Sequence, residues 1–433
     1  MASTTGKDEV SHYLPRVIDR VLDERLKSAG AVLIEGPKAC GKTLTATRLA
    51  ASQTRLDTDS AARDALRVDP GLVLNGKPPQ LIDEWQLEAD LVWNHVRHAV
   101  DQRARPGQFI LTGSAVPHDD VRRHSGAGRF ARLTMRPMSL FESGESTGDM
   151  SLAALMSGDR PTAGRTSLSI PDVADLVVRG GWPLNLRMSV TDAARANLDY
   201  LRNITEVDIP RIDGAQRDPA RIFRFVQALA RNTAMEQKVA RLAAEAGADE
   251  AGGGAALLAR TTAYDYLRAL KRLMVLEEVT AWSTHLRSRA TLRTAARTHL
   301  ADPSLAAAAL DAGPGRLLAD LNTLGLLFES LVVRDTRVYA APLDATVHYY
   351  RDSSNLEVDI IVQCRDGRWG AIEVKLGVSQ IDEAAAHLIK FSRSVDTSKA
   401  GKPAMLAVVT ATGYGYTRPQ DGVVVLPLGA FGP

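Results

Sequence analysis

Short apolar runs alternate with amphipathic stretches in the first third of the chain. Residues 31–35 (AVLIE), 80–83 (QLID) and 108–112 (QFILT) are each the length of a buried strand. The segments 42–51 and 87–103, which follow the first two runs, carry apolar residues at helical spacing. Strands that alternate with helices predict an α/β fold, with a parallel sheet covered by helices on both faces.

The middle of the chain is mainly helical by the same criterion. Helical periodicity covers residues 192–200, 219–232, 236–246 and 260–273, and an apolar strand is predicted at 276–282. Helices followed by a turn and a strand in this order resemble a winged helix-turn-helix.

The last part of the chain returns to strands. A helix is predicted at 317–333, strands at 347–351, 357–363, 369–375 and 404–409, and another helix at 381–391. This pattern indicates a second α/β module. Ser, Gly, Thr and Asp are enriched between residues 142 and 169, which favours a linker. The predicted organisation is a first domain at 1–145, a linker at 146–190, a helical domain at 191–310 and a final domain at 311–433.

Composition excludes several classes of protein. The chain has 433 residues, 45% of them hydrophobic and 24% charged, which is typical of globular domains rather than disordered or fibrous chains. A net charge of +2 neither drives nor forbids binding to a polyanion, so nucleic-acid contact requires a local patch. Two distant cysteines, Cys40 and Cys364, form no disulfide framework. With no secretory signal and no long apolar segment, the sequence predicts a cytoplasmic protein without a membrane partner.

The first turn after a strand carries a phosphate-binding pattern. Residues 36–43 (GPKACGKT) match G-x-x-x-x-G-K-[ST], in which backbone N–H groups and a helix N-terminus surround nucleotide phosphates. Lys42 is expected to reach the β- and γ-phosphates, and the Thr43 hydroxyl is a candidate Mg²⁺ ligand. The candidate ATP-binding residues are Gly36, Pro37, Lys38, Ala39, Cys40, Gly41, Lys42, Thr43 and Leu44.

Polar residues at the ends of the next strands complete this candidate site. Asp83 is expected to bind Mg²⁺ and Glu84 to polarise the attacking water, because both follow an apolar strand. Ser114, after the third strand, is placed to orient that water. Arg129 is the candidate arginine that reaches the nucleotide of an adjacent subunit, and it predicts a homo-oligomer.

These motifs resemble a known family. GPKACGKT, LIDEWQ, ILTGS, GRFARLTMRPMSLFE and, at 180–183, GGWP are similar to a large prokaryotic family of AAA-type ATP-binding proteins. The resemblance implies an AAA-type P-loop domain, a winged-helix middle and a C-terminal domain of unknown function that resembles restriction endonucleases. The chain departs from the family at Lys38-Ala39-Cys40, where the family usually has Arg-Gln.

Carboxylates in the last module resemble a nuclease site. Asp359 and Glu373 with Lys375, and Glu329 upstream, are similar to the PD-(D/E)xK pattern. In such a site the two acids hold one or two Mg²⁺ ions while the lysine activates water. The alternative is a buried ion-pair network in a nuclease core that no longer acts.

The sequence therefore favours a Mg²⁺-dependent ATPase that acts as an oligomeric conformational switch. Two alternatives stay open. One is an ATP-gated, metal-dependent nuclease. The other is a nucleotide-responsive DNA-binding or antitoxin-like module, with DNA contacted through the middle or C-terminal domain. Arg260, Arg268, Lys271 and Arg272 are the candidate DNA contacts of the middle domain. The sequence does not identify a partner protein.

Overall fold

A computed structural model describes residues 13–114, 126–160, 163–213, 217–236, 238–247, 258–283 and 295–433. Its backbone divides into two compact units. The first ends at Pro137 and takes in Arg272–Met274, and the second holds Met138–Lys271 and Val275–Pro433. The sequence places the first boundary later, at residue 145. It also separates a middle from a C-terminal domain, whereas the structure joins these two regions in one unit.

The first unit is built around a parallel sheet of five strands. They are β1 (Ala31–Glu35), β2 (Ser52–Arg55), β3 (Gln80–Asp83), β4 (Phe109–Gly113) and β5 (Phe130–Thr134). The strands lie in the order β2-β3-β4-β1-β5, and every neighbouring pair is parallel. The predicted α/β fold with a parallel sheet is confirmed.

Helices accompany this sheet. They are α1 (Ile18–Leu26), α2 (Lys42–Thr47), α3 (Ser60–Val68), α4 (Gly71–Leu74) and α5 (Ala89–Arg103). Apolar side chains of β1, β3, β4 and α5 share one core, which includes Leu33, Ile82, Val92, Val96 and Leu111. Strand β2 has no apolar signature, because its sequence is SQTR, and it forms through backbone pairing with β3.

The second unit begins with short helices and becomes a large mixed structure. Its helices are α6 (Leu152–Met156), α7 (Ile170–Arg179), α8 (Val190–Asn203), α9 (Ile209–Asp213), α10 (Pro219–Arg231), α11 (Val239–Gly247), α12 (Arg260–Arg272), α13 (Pro303–Ala309), α14 (Pro314–Ala319), α15 (Leu321–Ala340), α16 (Ile381–Ser394) and α17 (Thr397–Ala400). The helical middle predicted from the sequence corresponds to α8 to α12. In the part of the chain that the structure describes, no helix combines the length and apolar character needed to cross a bilayer.

The remaining strands form one seven-stranded sheet and two small pairs. They are β6 (Met150–Ser151), β7 (Gly164–Arg165), β8 (Leu276–Val279), β9 (Arg297–Leu300), β10 (Thr346–Arg351), β11 (Glu357–Gln363), β12 (Trp369–Lys375), β13 (Met405–Thr410), β14 (Tyr414–Thr417), β15 (Val424–Pro427) and β16 (Phe431–Gly432). The large sheet has the order β10-β11-β12-β13-β15-β14-β7, and β8 pairs with β9. Strand β10 is therefore an edge strand.

The β8–β9 pair docks on that edge strand. The Trp282 N–H donates to the Tyr349 carbonyl at 2.6 Å, and the Tyr349 N–H donates to the Thr280 carbonyl at 3.2 Å. The Trp282 ring lies in the C-terminal core, with its centroid 4.8 Å from that of Trp369 and 6.3 Å from that of Phe391. This docking explains why the middle and C-terminal regions share one unit.

Residues 146–190 differ from the predicted linker. They contain α6 and α7 as well as β6 and β7. Helix α7 starts at a capping box, in which the Ser169 hydroxyl accepts from the Asp172 N–H and the Asp172 carboxylate accepts from the Ser169 N–H. Its apolar residues, such as Val173 and Val177, are buried. A polar composition up to residue 169 therefore hides a packed helix that begins directly after it.

A buried ion-pair network joins distant segments of the second unit. The Arg334 guanidinium contacts the Asp302 carboxylate at 2.7 Å and the Asp335 carboxylate at 2.6 Å. Asp302 also accepts from the Gly181 N–H at 3.0 Å, and Asp335 accepts from the Leu140 N–H at 3.0 Å. Such a network is costly to break because any charge left behind is buried and unpaired. The network fixes two segments of the motifs named in the sequence analysis, SLFE at residues 139–142 and GGWP at residues 180–183.

Candidate functional site

The loop between β1 and α2 has the backbone of a phosphate-binding turn. Gly41 has φ 104° and Ala39 has φ 62°, both in the left-handed region. A Cβ atom at Gly36 would lie 2.2 Å from the Met135 carbonyl oxygen, so only glycine fits there. The loop therefore delivers its chain to the N-terminus of α2, where backbone N–H groups lack intrahelical acceptors.

A buried arginine holds this loop from behind. Arg16 is 6% exposed, and its guanidinium donates to the Cys40 carbonyl at 2.8 Å and to the Arg136 carbonyl at 2.7 Å. The Cys40 thiol is fully buried and donates to the Met135 carbonyl at 3.7 Å. None of these three contacts was predicted, because each joins residues far apart in the sequence. Cys40 thus helps to fix the back of the loop.

The Lys42 side chain folds over the same loop. Its ammonium group donates to the carbonyl of Gly36 at 2.9 Å and to that of Pro37 at 2.8 Å. The side chain is 6% exposed, so the positive charge is concentrated at the loop instead of in solvent. Lys38 and Leu44, also predicted to bind ATP, are half-buried in the loop and on α2.

Strand register brings the predicted magnesium ligands together. Asp83 pairs in register with Thr112 across β3 and β4, so both lie at the carboxyl edge of the sheet. The Thr43 hydroxyl lies 3.1 Å from each Asp83 carboxylate oxygen, and the Thr112 hydroxyl donates to the same carboxylate. Hydroxyl and carboxylate oxygens are the ligands that Mg²⁺ prefers, and it commonly uses one or two protein carboxylates beside phosphates. Thr43 and Asp83 therefore fit this ion.

Glu84 occupies an unusual backbone conformation next to this pair. Its φ is 53°, a left-handed value that is rare for residues other than glycine and common at functional sites. The carboxylate accepts from the Ser114 hydroxyl at 3.2 Å and from the Gln86 side-chain amide. The structure thus brings Glu84 and Ser114 together, while the roles predicted for them toward the attacking water stay predictions. Gln86 was missed, although it lies in the LIDEWQ motif.

The arginines that follow β4 in the sequence pair with different carboxylates. Arg129 is exposed, and its guanidinium pairs with the Asp101 carboxylate at 2.8 Å. Arg132 pairs with Glu35 at 3.1 Å, at the end of β1. Burial raises the pKa of Glu35, and the Arg132 charge opposes that rise. Arg122 and Arg123 lie outside the described residues.

The C-terminal carboxylates surround an arginine that sequence reasoning missed. Arg297, at the start of β9, pairs with Glu329 at 3.0 Å and with Glu357, and its guanidinium lies 3.9 Å from Asp359. Burial, together with the Asp359 charge, raises the pKa of Glu329 to about 8. Burial and the Glu373 charge raise the pKa of Asp359 to about 6. The acids therefore belong to an ion-pair network.

The remaining acid of this cluster is held by two basic side chains. Glu373 accepts from the Lys375 ammonium at 2.9 Å and contacts the His387 Nδ1 atom at 3.0 Å through its other oxygen. Burial acts to raise the pKa of Glu373, but the His387 hydrogen bond and the Lys375 charge outweigh it and lower the pKa. These groups line a cavity of about 550 Å³ together with Lys390.

The cluster does not fit the metal that a nuclease-like site implies. Among the described residues, no group of three or more His, Cys, Asp or Glu side chains is arranged to hold a metal ion. Asp359 faces Arg297 with one oxygen, and its other oxygen accepts from the Val374 N–H at 2.9 Å. Cations and an N–H group therefore already face these acids, and the alternative of a buried ion-pair network matches the geometry.

Comparison with known families assigns the parts of the chain separately. Residues 28–143 match the AAA domain family. Residues 170–316 and 324–431 match two families described only as domains of unknown function, DUF8612 and DUF4143. The match to the AAA family contains the whole loop, Asp83 at the end of β3, the following Glu84, and Ser114.

Several proteins are similar to this chain over most of its length. Uncharacterized proteins of Mycobacterium bovis and Mycobacterium tuberculosis are each 26% identical over 82% of this chain and 72% of their own length. A Walker-type ATPase of Pyrococcus abyssi is 13% identical over 69% of this chain and 96% of its own, with a TM-score of 0.41. The ORC2 protein of Aeropyrum pernix is 13% identical over 73% and 94%, with a TM-score of 0.30.

The family match at residues 28–143 and the geometry of the site within them indicate the same kind of domain. The loop at 36–43, the paired Thr43 and Asp83, and the parallel sheet agree with the match at residues 28–143. Residues 28–143 therefore form an AAA-type P-loop domain, and two domains of unknown function follow it.

Proposed function

We propose that this chain binds ATP with magnesium and hydrolyses it at the carboxyl edge of the first sheet. The observation that carries the proposal is the contact of the Thr43 hydroxyl with both oxygens of Asp83, at 3.1 Å each. A P-loop hydroxyl beside a strand-end carboxylate is the pair that holds Mg²⁺ in P-loop NTPases. A magnesium ion held by these two residues would supply positive charge against the negative charge of the phosphate oxygens.

Each side chain around this pair has a distinct task. The Lys42 ammonium, now on loop carbonyls, provides a mobile positive charge for the β- and γ-phosphates. Glu84 accepts a proton from the attacking water, and Ser114 and Gln86 orient its carboxylate. Arg16 keeps the loop in place from the opposite side. The site therefore separates phosphate binding, metal binding and water activation among different residues.

Metal removal tests this proposal directly. We expect the purified chain to release phosphate from ATP in the presence of Mg²⁺ and to stop when EDTA is added. Excess Mg²⁺ should restore the rate, since Thr43 and Asp83 are not altered by chelation. Phosphate release is measured colorimetrically, with a thermal melt to show that EDTA leaves the protein folded. Turnover that continues unchanged in EDTA would contradict the proposal.

The oligomeric switch stays a prediction. The Arg129 side chain is 43% exposed and pairs with the exposed Asp101 carboxylate at the surface of its own unit. In an oligomer its guanidinium could exchange this partner for the nucleotide phosphate of a neighbouring subunit.

DNA binding through the middle region is a second candidate function, supported by the surface of α12. Helices α10, α11 and α12 precede the β8–β9 pair, the order of a winged helix. One face of α12 is buried and includes Ala263, Tyr266 and Leu270. The opposite face is exposed and carries Arg260, Tyr264, Arg268 and Lys271. A basic stripe with an aromatic residue at its centre is complementary to a phosphate backbone.

A matched pair of arginines tests this second function. Arg268 is 70% exposed with Asp265 three residues before it, and Arg195 on α8 is 74% exposed with Asp192 three residues before it. We expect Arg268→Glu to weaken duplex binding and to reduce the salt slope by about one, since one phosphate contact is lost. Arg195→Glu should change neither. Fluorescence anisotropy at several salt concentrations measures both, and equal effects of the two variants would sink the idea.

A further inference from the structure

The centre of the C-terminal carboxylate cluster is filled by one buried guanidinium. Arg297 is 4% exposed, and three of the four acids of the cluster, Glu329, Glu357 and Asp359, lie within ion-pair distance of it. A guanidinium is planar, always charged, and presents several N–H donors in fixed directions. It can therefore satisfy several carboxylates at once, which a single lysine cannot do to the same extent.

Contacts other than the ion pairs also hold this arginine in place. Its guanidinium lies over the Tyr349 ring, 4.7 Å from the centroid, and the Tyr349 hydroxyl donates to the Ala295 carbonyl at 2.5 Å, two residues before Arg297. The Trp282 contacts described above fix the other side of the β8–β9 pair. Arg297 thus enters the cluster from the middle region on an anchored strand.

A divalent cation would need the same oxygens. Mg²⁺ and Mn²⁺ require several oxygen ligands in near-octahedral geometry, mostly carboxylates and water. The Glu329 and Glu357 carboxylates pair with Arg297. The two carboxylate oxygens of Glu373 contact Lys375 and His387. A cation entering from the cavity would also face the positive charge of Arg297 behind the acids.

We infer that Arg297 is the permanent cation of this cluster, so that the carboxylates bind the β8–β9 pair to the C-terminal sheet and do not bind a divalent metal. The acids keep the spacing of a nuclease-like site, but their role is to join two regions of the second unit. This inference is independent of the proposed ATPase, because none of its residues belongs to the P-loop site.

Mn²⁺ binding to the intact chain tests the inference without enzymatic activity. An Asp83→Asn protein, without nucleotide, removes the carboxylate proposed for the ATP site, and free Mn²⁺ is measured by electron paramagnetic resonance. We expect no bound ion that depends on Asp359. A stoichiometric ion that binds to Asp83→Asn and is lost in the Asp83→Asn, Asp359→Asn double variant would overturn the inference.

Removing the arginine gives the converse test. In the Asp83→Asn background, Arg297→Met should create a Mn²⁺ site, because Glu329 and Asp359 lose their cation, and Asp359→Asn should abolish it again. Arg351→Met is the matched control: Arg351 lies 3.8 Å from Glu357 and 3.1 Å from Glu236, at the edge of the cluster, and its loss should create no site. Equal Mn²⁺ binding by both methionine variants would overturn the inference. If Arg297→Met does not fold, the Asp83→Asn measurement still decides.

Discussion

Lys42→Ala is expected to abolish ATP binding at micromolar nucleotide and to eliminate turnover. The ammonium group is buried at the P-loop, where it donates to the carbonyls of Gly36 and Pro37 and where we propose that it meets the phosphates. Each hydrogen bond to a charged group contributes about 1.5–3 kcal/mol. The loss of the two bonds expected from Lys42 to the β- and γ-phosphates therefore weakens ATP binding by about 100-fold or more. A fluorescent ATP analogue measures the affinity, and phosphate release measures the rate.

Lys77→Ala is the matched control for this variant. Lys77 is an exposed lysine of the same unit, and its removal should leave both affinity and rate unchanged. A thermal melt of Lys42→Ala should resemble that of the unmodified chain. If Lys42→Ala binds and hydrolyses ATP normally while folded, the phosphate role of this residue is wrong.

Glu84→Gln should separate binding from hydrolysis. The amide keeps the size of the side chain but cannot accept a proton from water, and general-base catalysis contributes about 10²–10⁴-fold. We therefore expect a similar loss in turnover, with ATP affinity unchanged because Lys42, Thr43 and Asp83 are intact. Single-turnover hydrolysis and analogue binding, measured on the same preparation, give the two quantities.

Glu24→Gln provides the comparison for Glu84→Gln. Glu24 is an exposed residue of α1 that pairs with Arg20, so its amide should leave turnover unchanged. A Glu84→Gln protein that hydrolyses ATP at the normal rate would remove Glu84 from the mechanism and leave nucleotide binding untouched. Loss of both binding and turnover would instead indicate that Glu84 supports the loop structurally.

The sequence predicts the first unit well because its signals are local. The loop at 36–43 follows an apolar strand directly, Asp83 ends another and Glu84 follows it, so pattern and chemistry coincide within a few residues. Parallel pairing then places both strand ends at one edge without further information. The polar strand β2 lacks such a signal, and it was not predicted.

Contacts between distant residues explain what the sequence could not provide. Arg16 reaches Arg136 across 120 positions, and Arg297 reaches Asp359 across the boundary that the sequence placed at residue 310. No periodicity or spacing links such residues in one chain. Helix α7, by contrast, carried a readable capping box at Ser169, and it was missed because the polar segment before it dominated.

Two aspartates, Asp83 at the end of β3 and Asp359 within β11, show why residue type alone does not define a metal site. Asp83 and Asp359 both belong to motifs associated with Mg²⁺. The neighbours of Asp83 are the hydroxyls of Thr43 and Thr112, which are themselves oxygen ligands or neutral donors. Asp359 is surrounded by Arg297 and by Lys375, which lies 3.9 Å away. An aspartate carboxylate is therefore suited to a metal ion at position 83 and to ion pairs at position 359.

A crystal structure of the chain with Mg²⁺ and a non-hydrolysable ATP analogue tests the central claim most directly. The account predicts that the backbone N–H groups of residues 38–43 enclose the phosphates. It also predicts that the ion lies beside the Thr43 hydroxyl and the Asp83 carboxylate, and that the Glu84 carboxylate faces the γ-phosphate. A nucleotide bound elsewhere, or an analogue-bound loop with Asp83 and Glu84 turned away from the phosphates, would contradict it.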